Sequence, residues 1–116
     1  MLKTPASFSP LHVPQANPDP RTFVFRGDEL LIHESGLTLP DATACASLDL
    51  QIARIHPIGV LDGGYYQTTW VGHDTVATPG YVFKRLRALI GALDESLIAL
   101  AGRAFQIANW ARSHRY

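Results

Sequence analysis

The C-terminal stretch Asp94–Tyr116 constrains the fold more than any other part of the chain. Leu97, Leu100, Ala101, Ala104, Ala108 and Ala111 recur at helical spacing along one face, and Ile98, Phe105 and Ile107 widen it. Asp94 stands ahead of this pattern as an N-cap. The pattern then runs to Tyr116 with no closing Gly or Asn cap, no proline and no polar tail. A helix still open there, and still carrying Trp110 and His114, predicts that this chain is the front part of a longer protein.

Upstream the character differs. Residues 1–21 hold Pro5, Pro10, Pro14, Pro18 and Pro20, which argues against helix or central strand because proline fixes φ and lacks a donor. An extended arm is expected, with Phe8, Leu11 and Val13 as its anchors. Phe23–Arg26 and Glu29–Glu34 flank Gly27-Asp28 and read as a hairpin. The triplet Arg26-Gly27-Asp28 also spells the integrin-binding tripeptide, but chance and hairpin geometry account for it better. Asp41–Asp49 is a short helical turn or a loop, and Leu48–Ile55 alternates as a half-buried strand would.

Ile58–Leu61 and Tyr65–Val71 read as two more strands, joined through Asp62-Gly63-Gly64. Tyr66, Thr68 and Trp70 would share one side, with Tyr65, Gln67, Thr69 and Val71 on the other. Thr78-Pro79 reads as a helix start, followed by Val82, Phe83, Leu86, Leu89 and Ile90 at helical spacing, and Gly91 ends or kinks that helix. Strands first and helices last predict an α+β domain over residues 22–116, antiparallel and β-rich and then closed by two C-terminal helices, behind a proline-rich arm over residues 1–21.

Composition narrows the function. At 116 residues the chain is a single domain with room for one core. Ten acidic and ten basic side chains cancel, so no global field draws it to nucleic acid or membrane, and no nucleic-acid motif is present. The single cysteine, Cys45, excludes an internal disulfide framework and suits a reducing compartment. No apolar run reaches about 18 residues, the length a membrane span needs. Prolines interrupt any signal-peptide pattern, and a cytoplasmic location is expected.

Constellations that carry chemistry are missing. The acids occur singly or as the neighbours Asp28-Glu29 and Asp94-Glu95, and His12, His33, His56 and His73 show no i, i+4 pairing. Cys45, between Ala44 and Ala46, reads as an inert core thiol. Arg87 and Lys84 read first as a solvated basic helix face, although a planar guanidinium also suits bidentate contact with phosphate. Trp110 falls on the wheel with Arg103 and Gln106, opposite the apolar face, and marks either a second interface or an incidental exposed ring.

Leu100-Ala-Gly-Arg103, Trp110 and Ser113-His114-Arg115-Tyr116 together resemble the segment just before the zinc ribbon of NADH pyrophosphatases in the Nudix hydrolase superfamily. A weaker match covers the Phe23–Ile32 hairpin and the Leu37-Thr-Leu-Pro40 step. The resemblance implies a degenerate Nudix-like domain that packs against a zinc ribbon and a catalytic domain in a homodimer. It implies that Arg87 reaches the dinucleotide substrate, that Trp110 packs on the ribbon or the dimer partner, and that His114 has a hydrogen-bonded positioning role. A second family contact, a lysine before the Leu-Pro step, has no counterpart, since Glu34, Ser35 and Gly36 stand there.

The Nudix motif G-x5-E-x7-R-E-x-x-E-E-x-G and the zinc-ribbon cysteines are absent from this chain. The expectation is therefore a non-catalytic part with no cofactor of its own. The parent enzyme would cleave the diphosphate of NADH with water to reduced nicotinamide mononucleotide (NMNH) and AMP, with Mg2+ or Mn2+ and a structural Zn2+. Direct nucleic-acid binding by this chain is not expected, while the resemblance admits NAD-capped RNA as a substrate of the parent. The rival expectation is a free-standing protein-interaction module with the same fold.

Overall fold

The computed structural model describes residues 8–10, 20–46, 48, 54–61 and 64–113. His114 lies outside the described residues, as does most of the proline-rich arm. The chain runs β1 (Phe8–Pro10), β2 (Arg21–Arg26), β3 (Glu29–His33), α1 (Ala42–Ala46), β4 (His56–Leu61), β5 (Gly64–Trp70), β6 (Tyr81–Arg85), α2 (Leu86–Leu89) and α3 (Glu95–Ser113). The strands form one sheet in the order β1-β4-β5-β2-β3-β6, giving an α+β fold in which α1 lies between β3 and β4 and α2 and α3 follow the last strand.

Both tight hairpins form where turn chemistry placed them. Arg26 pairs with Glu29, so Gly27-Asp28 is a two-residue connection, and Gly27 takes φ +63°, a value open to a residue without Cβ. Leu61 likewise pairs with Gly64 across the β4–β5 connection. The hairpins lie side by side through β2 and β5, which pair in parallel from Arg21↔Tyr66 to Phe25↔Trp70. Among the described residues the sheet is therefore mixed: β2–β5 is parallel and the other four pairings are antiparallel. Hydrophobic alternation is the same for either direction, so only the long crossover between the hairpins sets it.

The expected strand Leu48–Ile55 is not seen at its ends. The Leu48 amide closes a turn on the Cys45 carbonyl at 3.0 Å, β4 begins only at His56, and residues 49–53 lie outside the described set. A larger correction concerns Thr78–Ile90. Thr78-Pro79-Gly80-Tyr81 is a β-turn, with Tyr81 N–H on the Thr78 carbonyl at 2.8 Å and Gly80 at φ +87°. Proline followed by a positive-φ glycine is type II chemistry, so Pro79 starts a turn and no helix. Tyr81–Arg85 then pairs with β3 over the whole of its length, satisfying an edge that would otherwise stand open. The expected first helix shrinks to the single turn α2, which ends before Gly91 at φ +91°.

The last helix forms as its pattern requires. Asp94 Oδ2 accepts the Ser96 amide at 3.1 Å, and its carbonyl accepts the Ile98 amide at 2.9 Å. Leu100, Ala101, Ala104, Ala108 and Ala111 are buried against the sheet. Alanines there let the helix come close: the Thr68 hydroxyl, with no exposure, lies 3.2 Å from the Ala104 carbonyl and 3.3 Å from that of Phe23.

The pleat divides the side chains into two clusters. Phe23, Phe25, Leu30, Ile32, Ile58, Trp70 and the α3 face form the main core, with Phe25 edge-to-face on Phe105 at 5.3 Å. Val24, Leu31 and Val71 form a smaller cluster on the opposite face, against Cys45, Leu48, Tyr81 and Phe83. The sides expected for β5 hold: Tyr66 and Trp70 join the first cluster and Val71 the second.

Candidate functional site

Arg87 sits in α2, at the free edge of the sheet beside the β2–β3 turn. Lys84, Arg85 and Arg87 are all exposed, and none of their side chains makes a hydrogen bond or ion pair with another described residue. By register Arg85 stands opposite Glu29, but the Glu29 carboxylate is taken by Arg26 at 2.9 Å. Three cations thus stand within four residues on a chain of zero net charge, next to the turn that carries the exposed Asp28.

Two features place Arg87 there. The half-buried Leu86 and the buried Leu89 insert into the main core, leaving the residue after Leu86 to point outward. Meanwhile the Leu86 amide donates to the Asp28 carbonyl at 3.0 Å, seating the helix start on the hairpin turn. Glu34, Ser35 and Gly36 form an exposed turn after β3, where the resemblance found no lysine. The Ser35 hydroxyl there lies 2.9 Å from His33 Nδ1.

Trp110 is 61% exposed, on the side of α3 that also presents Arg103 and Gln106. Among the described residues Ile90, 62% exposed, and Val76, 81% exposed, are the other large apolar residues open to solvent. A separate shallow cleft of about 110 Å3 lies at the opposite end of β2, lined by Arg21, Leu37, Thr38, Leu39, Tyr66 and Leu97. Leu37 borders it with φ +53°, an unusual value for a bulky residue.

Among the described residues no three His, Cys, Asp or Glu side chains come close enough to hold a metal ion. The donors present here do not fit a catalytic divalent cation or a structural zinc. Cys45 is not activated as a nucleophile. Burial pushes the Cys45 thiol up, the hydrogen bond with the Thr22 hydroxyl lowers it by less, and the Asp41 charge adds a smaller rise. A thiol held neutral is a weak nucleophile. In native protein at mildly alkaline pH, Cys45 should react with iodoacetamide several-fold more slowly than in the urea-unfolded chain; equal rates would contradict the half-buried, neutral assignment. Because the folded thiol holds its proton more tightly, its contribution to stability is intact below the ordinary thiol pKa. It is lost as pH rises through the folded value.

Arg26 was not read as a functional residue from sequence, yet it organises this edge. Its Nε lies 3.0 Å from Glu29 Oε1, its Nη1 donates to the Thr75 carbonyl at 2.9 Å, and its guanidinium stacks 4.1 Å from the Phe83 ring centroid. The available signal was an arginine and a glutamate placed to meet across a two-residue turn. Among the described residues no helix is long and apolar enough to cross a membrane.

Comparison with known proteins agrees with this reading of the fold. Residues 20–110 match the family described as the NADH pyrophosphatase-like rudimentary NUDIX domain. An NAD-capped RNA hydrolase NudC of Pseudomonas fluorescens strain Pf0-1 is 40% identical over 68 residues, covering 59% of this chain and 24% of that protein. A protein of the same description from Pseudomonas syringae pv. tomato is 30% identical over 93 residues, covering 80% of this chain and 33% of its own length. The chain thus spans between a quarter and a third of the curated relatives it matches. No solved structure matches. With residues 20–110 matched, most of its length, the chain belongs to the NADH pyrophosphatase-like family of rudimentary NUDIX domains.

Proposed function

We propose that this chain is the non-catalytic N-terminal domain of an NAD(H) diphosphatase, and that its Arg87 edge contacts the substrate diphosphate. The overall reaction adds water across the phosphoanhydride of NADH: water oxygen bonds one phosphorus, the bridging bond breaks, and NMNH and AMP leave. The observation that carries the reading is the exposed Arg87 guanidinium, beside Lys84 and Arg85 and with no acid among the described residues engaging it. Such a guanidinium can meet two phosphate oxygens through parallel N–H bonds. The bond-breaking groups belong to the rest of the enzyme, where Mg2+ or Mn2+ would polarise the diphosphate and a zinc ribbon would brace the catalytic domain.

Two curated relatives carry the name NAD-capped RNA hydrolase. An NAD-capped RNA presents the same diphosphate, so the substrate class extends to it by chemistry. In this reading the enzyme is a homodimer, and Trp110, an exposed indole on α3, is one of its packing residues. The codons following Tyr116 test the assignment. A Cys-x-x-Cys ribbon and then a Nudix motif support it. A stop codon there, with a monomeric product, would favour a free-standing interaction module. For Trp110, replacement by alanine should weaken the dimer of the full-length product, and an unchanged dimer mass on dilution would remove it from the interface.

A further inference from the structure

The Arg26-Gly27-Asp28 turn has an internal use that its resemblance to an adhesion tripeptide conceals. α2 is only four residues long, too short to be held by its own hydrogen bonds. Its N-cap residue, Arg85, offers no side-chain bond to the helix start. The amide of Leu86, one of the donors a helix start leaves unmatched, is instead taken by the Asp28 carbonyl at 3.0 Å. Arg87 is the next residue, so where its guanidinium stands depends on where the hairpin turn stands.

Arg26 fixes that turn from three directions. Its Nη2 is 2.9 Å from Glu29 Oε1 across the turn, and its Nη1 donates at 2.9 Å to the Thr75 carbonyl in the loop before β6. Its charge lies 4.1 Å over the ring of Phe83, three residues ahead of Leu86 on the strand that leads into α2. Arg26 also carries the buried end of β2, whose Phe25 lies in the main core. One side chain thus locks together the turn that receives α2 and the strand that delivers it.

We propose that Arg26 and the Asp28 carbonyl form a positioning device for the Arg87 guanidinium, which rests on the reading of Arg87 as a phosphate contact. Neither group touches substrate. Loss of the device leaves Arg87 present but displaced, which weakens the grip on the diphosphate without touching the bond-breaking groups. Its kinetic signature is a raised KM for NADH with kcat nearly unchanged.

Two variants of the full-length enzyme separate this from a merely structural role. Arg26→Met removes all of the guanidinium contacts while keeping an unbranched side chain over Phe83. Leu86→Pro removes the amide that reaches Asp28 together with the half-buried Leu86 side chain. Leu86→Ala, which keeps the amide and loses the same packing, is its control and should leave KM unchanged. Proline is tolerated at the first helical position, and Arg85 already has φ −59° and ψ 138°, the conformation a residue before proline adopts. Arg26→Met and Leu86→Pro should each raise KM by about tenfold, the scale of one charge-assisted hydrogen bond, and should add little in an Arg87→Ala background.

Partial unfolding would instead lower kcat through loss of active molecules and leave KM alone. If Arg26→Met fails to fold, Leu86→Pro decides the matter. KM effects that multiply with that of Arg87→Ala, or no KM effect in either variant, would overturn the positioning role while leaving Arg87 as a contact. If Arg87→Ala alone leaves KM unchanged, the underlying reading fails as well.

Discussion

Replacing Phe25 by alanine should destabilise the domain by about 3–5 kcal/mol, the largest loss expected from a single core truncation here. The residue is 1% exposed and stands at the centre of the larger cluster. Its ring meets Phe105 edge-to-face at 5.3 Å, which joins α3 to the central strand pair. Truncation removes apolar contact from both layers and leaves a cavity that the closely seated α3 cannot collapse to fill. Total stabilities of such domains are about 5–15 kcal/mol, so the variant would stand near its unfolding threshold. Urea unfolding of the wild type and the variant measures the difference, and a loss under about 1 kcal/mol would show that α3 is not packed on β2 as described.

The second large effect concerns binding. Arg87→Ala in the full-length enzyme should lower kcat/KM for NADH by roughly 10- to 100-fold, the worth of one or two charge-assisted hydrogen bonds to phosphate. The loss should fall on KM, because the guanidinium holds the diphosphate in the ground state and the transition state alike. Stability should scarcely change: Arg87 is exposed and no described residue depends on it for a hydrogen bond. Arg87→Lys should recover only part of the loss, since an ammonium supplies charge without the fork geometry. Equal KM in wild type and alanine variant would show that the basic edge is solvated surface.

What the sequence made legible follows from which signals are local. The α3 stripe and its Asp94 cap were readable because helical periodicity and capping are set within a few residues, and Ala101, Ala104 and Ala108 are buried as their spacing implies. The exposure of Trp110 was readable from the same wheel. Both hairpins were readable from Gly27-Asp28 and Asp62-Gly63-Gly64. Tyr81–Arg85 was misread because Val82, Phe83 and Leu86 satisfy helical spacing equally well. The demand that overrode it, an unpaired β3 edge, is tertiary and invisible in a window of that length. Thr78-Pro79-Gly80 could have corrected the reading, because a positive-φ glycine after proline marks a turn.

The candidate site was legible only in part, for a similar reason. Arg87 was singled out through resemblance, and it stands exposed on a helix only one turn long. The parallel β2–β5 pairing and the contact of Asp28 with Leu86 are long-range, and neither leaves a mark on local composition. Arg26 lay within a quoted motif, but its partners Thr75 and Phe83 come from a distant loop and strand.

The most direct test of the central claim is AMP release from NADH, measured with Mg2+ or Mn2+ for the 116-residue chain and for the full-length gene product at equal concentration. The account predicts AMP and NMNH from the full-length protein and none from the 116-residue chain. Hydrolysis by the chain alone would contradict its non-catalytic role, and a full-length product that releases no AMP would contradict the diphosphatase assignment itself.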